Sequence, residues 1–150
     1  MNTLFTNNIS EVSINYSCKV PAKERLQIKT SSDADKAVRL FYPSMEHREY
    51  FYALLLNRAN KLLGFYQVSM GGITGTVVDP RIVFQAALKA NASSIILVHN
   101  HPSGNTQPSD ADRDITKKLK SGGSFLDIPV LDHLIVTIDS FYSFADEGIM

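Results

Sequence analysis

The stretch that most constrains this chain is Ser94-Ile-Ile-Leu-Val-His99, an apolar run with a helical pattern on either side. A short continuous run of this kind reads as a buried strand. Ahead of it, Asp79-Pro80 marks a helix start. Asp79 is placed to cap, and Pro80 at the first helical position forfeits no hydrogen bond. That helix turns Ile82, Val83, Ala86, Ala87 and Ala90 inward and ends near Asn91. A further helix is expected from Ser109 to about Ser121, closed by Gly122-Gly123.

The remaining pattern fills in around this unit. From Glu11 to Val20 apolar residues alternate (Val12, Ile14, Tyr16, Cys18, Val20), which predicts a half-buried strand ended by Pro21. Ser31 or Ser32 is the expected N-cap of a helix running to about Phe41, with Ala34, Ala37, Val38 and Phe41 inward and Pro43 as its stop. Tyr50–Leu56 and Leu62–Val68 read as a β-hairpin around Asn57-Arg-Ala-Asn60-Lys. Gly71, Gly72 and Gly75 loosen the chain before Pro80. Two strands close it, around Val130–Ile138 and Phe141–Phe144. The order βαββαβαββ predicts a mixed α/β (α+β) domain, a sheet flanked by helices.

Composition narrows the function. At 150 residues the prior is one core, and 44% apolar with 20% charged residues excludes a disordered chain. A single cysteine, Cys18, excludes a disulfide scaffold and a four-cysteine zinc ribbon, and fits a reducing cytoplasm. Fifteen basic and fifteen acidic residues cancel, so nucleic acid is not the favoured partner. The longest apolar run, Tyr50–Leu56, is far short of the roughly 20 residues that span a bilayer. The N-terminus lacks the basic and apolar regions of a secretory signal. The expectation is a cytoplasmic protein with no membrane partner.

The chemistry concentrates in HNHPSGNTQPSDADRD, which follows the buried strand. His99 and His101, two apart, leave a strand on the same face, so both imidazoles can converge. Pro102 and Gly104 turn the chain, Ser109 opens a helix, and Asp112 lies in its first turn. Two imidazoles and one carboxylate suit a catalytic zinc with an open fourth position. Ser109-x-x-Asp112 is equally an ordinary capping pair. Asp110 and Asp114 are competing carboxylates.

His99-Asn-His101, the residues Pro102 to Pro108, and Ser109-x-x-Asp112 resemble the JAMM motif of JAB/MPN metallohydrolases. The wider segment, from REYFYALLLN through DPRIVFQAALKANASSIILVHNHPSGNTQPSDADRDITKKL to LDHLIV, resembles the RadC-like branch of that family. The likeness places a JAB/MPN domain at 25–150 and leaves 1–24 as an N-terminal extension. It implies a curved mixed sheet flanked by helices, the JAB/MPN (cytidine-deaminase-like) architecture. It implies Zn2+ held by His99, His101 and Asp112. It also implies a catalytic glutamate ahead of a hydrophobic strand. Glu49 matches that context, and Glu46 is the second choice.

The implied activity is that of a zinc metallopeptidase. Glu49 acts as base toward a zinc-activated water, Ser109 helps to stabilise the oxyanion, and the substrate is a peptide or protein cut at a peptide or isopeptide bond. The resemblance carries a second reading, a DNA-repair-associated accessory module with little or no hydrolase activity. Full-length members of that branch usually add a helix-hairpin-helix-type region, for which residues 1–24 are too few. That departure and the zero net charge favour the hydrolase. A metal-binding scaffold without turnover is the third reading. His47-Arg-Glu49 has the H-x-E spacing of zinc deaminases but no P-C-x-x-C partner. No H-E-x-x-H occurs, and Gly71–Gly75 form no phosphate loop. His133, in Leu131-Asp-His-Leu-Ile-Val, reads as a structural residue of a buried strand.

Overall fold

The computed structural model describes residues 9–13, 15–72 and 76–150. Among them run α1 (Ser31–Arg39), β1 (Tyr50–Leu56), β2 (Leu62–Met70), α2 (Pro80–Lys89), β3 (Ser94–Asn100), α3 (Asp110–Phe125), β4 (Val130–Val136) and β5 (Phe141–Ser143). The strands form one mixed sheet in the order β2-β1-β3-β4-β5. β3 is central and buried along its whole length. It pairs antiparallel with β1, and parallel with β4 across the α3 crossover.

The sheet has a core on each face. Ala34, Ala37 and Val38 of α1 pack on Tyr52, Leu54, Ile96, Val98, Leu134 and Val136. On the other face, Val83, Phe84 and Ala87 of α2 and Leu119 of α3 cover Phe51, Ala53, Leu55, Ile95 and Leu97. Odd-numbered residues of β3 therefore face α2 and α3, and even-numbered ones face α1. This mixed α/β architecture is the expected fold class. No helix of the described residues is long and apolar enough to cross a membrane.

Local chemistry sets the boundaries. Asp79 caps α2 by accepting the Arg81 N–H at 2.9 Å, with Pro80 at the first position. In the β1–β2 turn, Asn57 Oδ1 accepts the N–H groups of Ala59 and Lys61, and Asn60 takes φ 57°, a left-handed value asparagine tolerates. β2 runs on to Met70, past the expected Val68.

Three expectations are corrected. No strand forms among the described residues of Glu11–Val20, and Ile14 lies outside them. Val12 is 83% exposed, so its alternation meets no neighbouring ladder. Tyr16 instead donates its hydroxyl to the Leu63 carbonyl at 2.7 Å, and among the described residues the first sheet-like pairing is the Gln27–Lys61 bridge. Second, α1 is capped by Thr30 rather than Ser31 or Ser32, because Thr30 and Asp33 close a reciprocal capping box.

Third, Gly122-Gly123 lie inside α3 and do not end it. A Cβ on Gly122 would meet the Phe84 ring at 2.9 Å, and one on Gly123 would collide with the Ile128 carbonyl oxygen. These glycines let α3 approach α2 and the returning chain. The helix gives way at Asp127, whose φ is 57°. Gly75 lies outside the described residues.

Candidate metal centre

The site begins where β3 ends. His99 shares the face of Ile95 and Leu97, and His101 comes back to the same side, its Nε2 only 2.9 Å from His99 Nε2. The Pro102–Gly104 turn reverses the chain: the Gly104 N–H bonds the His101 carbonyl at 3.0 Å, with φ 82°. The Ser109 capping box then fixes Asp112. Ser109 Oγ accepts the Asp112 N–H at 3.1 Å, and Asp112 Oδ2 accepts the Ser109 N–H at 2.9 Å. From there Asp112 Oδ1 stands 3.2 Å from His99 Nε2, and Oδ2 stands 3.2 Å from His101 Nε2. The same carboxylate is thus both a helix cap and a wall of the site.

Hydrogen-bond arithmetic fixes which nitrogen of each imidazole is bare. Thr116 Oγ lies 2.6 Å from the Asp112 backbone carbonyl, which can only accept, so the threonine proton goes there. His133 Nδ1, 2.6 Å from the same hydroxyl, must then be the donor. That leaves His133 Nε2 as an acceptor, and His99 Nδ1–H, 2.7 Å away, donates to it. His99 Nε2 is left with its lone pair aimed into the site. His101 Nδ1–H likewise donates to the Asn105 carbonyl at 2.6 Å, freeing its own Nε2.

Two lone pairs and a carboxylate therefore face one another with no donor among them. Such a cluster calls for a cation. Tetrahedral zinc with Zn–N of about 2.0–2.1 Å would set its ligands about 3.3 Å apart, close to the separations here. A proton is the other cation that can serve. Burial works against a charged His101, but the Asp112 carboxylate, the Asn105 carbonyl and Glu49 outweigh it and hold its pKa above the ordinary histidine value. Burial likewise opposes an ionised Asp112, yet the His101 and His99 imidazoles, each 3.2 Å away, and the Ser109 N–H hold its carboxyl far below the usual carboxylate range, so a proton entering the site goes to an imidazole. Burial keeps His133 well below the ordinary value, in the neutral form the relay requires.

Glu49 sits just ahead of β1, its carboxylate 3.9 Å from His101 Nε2 and only 14% exposed. Glu49, His99 and His101 each bring one donor atom within 4.8 Å of the others and could hold a metal ion. Asp112 lies nearer to His101 than Glu49 does, and it also touches His99. A cleft of about 240 Å³ opens on Glu49, His99 and Asp112, walled by Phe51, Thr76, Val77, Val78, Ala111 and Ile115. Glu46, His47, Asp110 and Asp114 are exposed, and none of them takes part in this cluster.

His133 has more than the structural role its sequence context suggests, and Thr116 carries no sequence signal of its own. His133 is structural as expected, but its partner is His99, and only the parallel β3–β4 register brings the two together. Outer partners that orient an imidazole typically contribute about 10- to 100-fold to metal affinity. Thr116→Val keeps the volume but strips His133 Nδ1–H of its acceptor. Zinc affinity should fall by about that factor. Competition with a chromophoric chelator measures it, and an unchanged affinity would break the relay.

The RadC-like JAB domain family matches residues 28–149. The chain is 48% identical over 123 residues to a UPF0758 protein of Flavobacterium johnsoniae, covering 82% of this chain and 53% of the relative. A UPF0758 protein of Geotalea uraniireducens is 48% identical over 106 residues (70% of this chain, 46% of the relative). One of Chlorobaculum parvum is 45% identical over 105 residues (70% and 47%). The chain spans about half the length of the curated relatives it matches. With the family matched over most of its length and the two-histidine cluster at the end of its central strand, this chain belongs to the RadC-like JAB domain family.

Proposed function

We propose that the chain is a zinc-dependent hydrolase of amide bonds, of the peptide or isopeptide type, with residues 25–150 as the catalytic unit. The observation that supports this reading is the convergence of two imidazole lone pairs and the Asp112 carboxylate, with a second carboxylate and an open cleft beside them. His99, His101 and Asp112 would hold the metal. Bound there, zinc supplies Lewis acidity, bringing the pKa of water to about 7 and polarising a carbonyl.

The protein's own groups do the rest. His133 and Thr116 keep His99 in the tautomer that presents Nε2, and Asn105 does the same for His101. Glu49, next to the donor atoms but bonded to none of them closely, accepts a proton from the attacking water. The oxygen adds to the amide carbon, the C–N bond breaks, and Glu49 returns the proton to the leaving nitrogen. Ser109 Oγ already accepts the Asp112 N–H, which leaves its own O–H to donate to the carbonyl oxygen as charge builds.

The test is a panel of peptides and lysine-linked isopeptides incubated with the zinc-loaded chain. Cleavage abolished by a chelator and restored by zinc is expected. Bound zinc with no cleavage of any amide would leave a metal-binding scaffold. The DNA-associated alternative makes a separate prediction, duplex or single-strand binding that weakens steeply with salt.

A further inference from the structure

Between the two histidines stands a residue that contributes nothing to the donor cluster. Asn100 is fully buried, and the alternation of β3 turns it away from the imidazoles toward α1. A carboxamide offers two donors and an oxygen with two lone pairs, and here all are engaged. Its Nδ2 donates to the carbonyls of Met45 and Arg48, each at 2.8 Å. Its Oδ1 accepts the Tyr50 N–H at 2.8 Å and the Tyr42 hydroxyl at 2.9 Å, a proton shared with the Tyr50 carbonyl.

All these partners bracket Glu49. The residues from Pro43 to Glu49 have no helix or strand of their own, so their carbonyls have no ladder to join. A further main-chain tie at this point is the Gly71 N–H to the Glu49 carbonyl, at 2.9 Å. We propose that Asn100 is a positioning residue for Glu49: its buried amide clamps Met45–Tyr50 to the end of β3 and so sets the Glu49 carboxylate at its 3.9 Å separation from His101. One strand end thus carries both sides of the chemistry, the imidazoles on one face and the clamp for the base on the other.

The side chain is suited to this by length and polarity. Aspartate would set a carboxylate against the two carbonyls, serine would reach only some of the four partners, and glutamine would be one methylene too long. The proposal rests on reading Glu49 as the base, but its local consequence does not. Amide hydrogen exchange on the zinc-loaded full chain is the first readout. In Asn100→Ser, exchange over residues 44–50 should rise at least about tenfold, while that of 95–98 and 133–136 stays within about threefold, the signature of a local opening.

Zinc content should stay near that of the unaltered chain, because His99, His101 and Asp112 do not depend on this loop. On a cleavable substrate kcat should fall at least about tenfold with KM unchanged, the scale set by a small misplacement of a reacting group. Glu49→Gln/Asn100→Ser should be no slower than Glu49→Gln alone. Uniform loosening of the whole sheet would overturn the proposal, as would unchanged exchange at 44–50 or additive losses in the double variant. If Asn100→Ser does not fold, Tyr42→Phe weakens one of the four contacts and should show the same localised rise, smaller in size. If no substrate is ever cleaved, the hydrolase reading fails and the exchange pattern with zinc content still decides the clamp.

Discussion

Replacing Glu49 by Gln should lower kcat by about 10²- to 10⁴-fold, the usual weight of a positioned acid–base group, with zinc still bound. The amide keeps the size and the main-chain contacts of the original, so the clamp from Asn100 and the bond to Gly71 persist. What is lost is the ability to carry a proton. The geometry permits one competing role, because the Glu49 carboxylate is close enough to join the metal's donors. The two roles separate in one variant. A base leaves zinc content unchanged and removes turnover; a ligand loses zinc as well. The distances favour the base, since Asp112 stands 3.2 Å from both imidazoles and Glu49 stands 3.9 Å from one.

His101→Ala should reduce bound zinc from about one per chain to a trace, because a site with three protein ligands cannot lose an imidazole and keep its affinity. The fold should survive. His101 lies beyond the end of β3 and belongs to neither apolar core. Thermal unfolding reports both facts together. Zinc at about 100 times its Kd adds about 2.7 kcal/mol to the native state, so the unaltered chain should melt several degrees higher with zinc than without. The variant should melt at one temperature under both conditions. Competition between zinc and the proton on His101 adds a pH sign. Affinity should weaken as the pH falls through the raised His101 pKa.

Much of this molecule is legible residue by residue, and the limits have physical causes. β1, β3 and the start of α2 follow from local chemistry: apolar runs, an aspartate cap and a proline at the first helical position. The donor cluster was also local, since two histidines two apart and a capping box eight residues on need only one turn to meet. Long-range facts were not legible. The Val12–Val20 alternation has the right period, but a strand needs a partner edge, and none is supplied to the residues described there. Gly122-Gly123 carries the signal of a helix stop, yet what decides it is the approach of Phe84 and the Ile128 carbonyl from elsewhere in the chain. His133 looked like any buried strand histidine because its role depends on a parallel register with β3, which no single segment encodes.

His99 Nε2, His101 Nε2 and the Asp112 carboxylate are the proposed donors of one metal ion. X-ray absorption at the zinc edge of the zinc-loaded chain reads that donor set directly. The expected spectrum shows two imidazole nitrogens at about 2.0–2.1 Å, oxygen neighbours completing the shell, and no sulfur. A sulfur at about 2.3 Å would place the metal at Cys18, and an all-oxygen shell would leave it unbound by these histidines. Either result would contradict the centre described here.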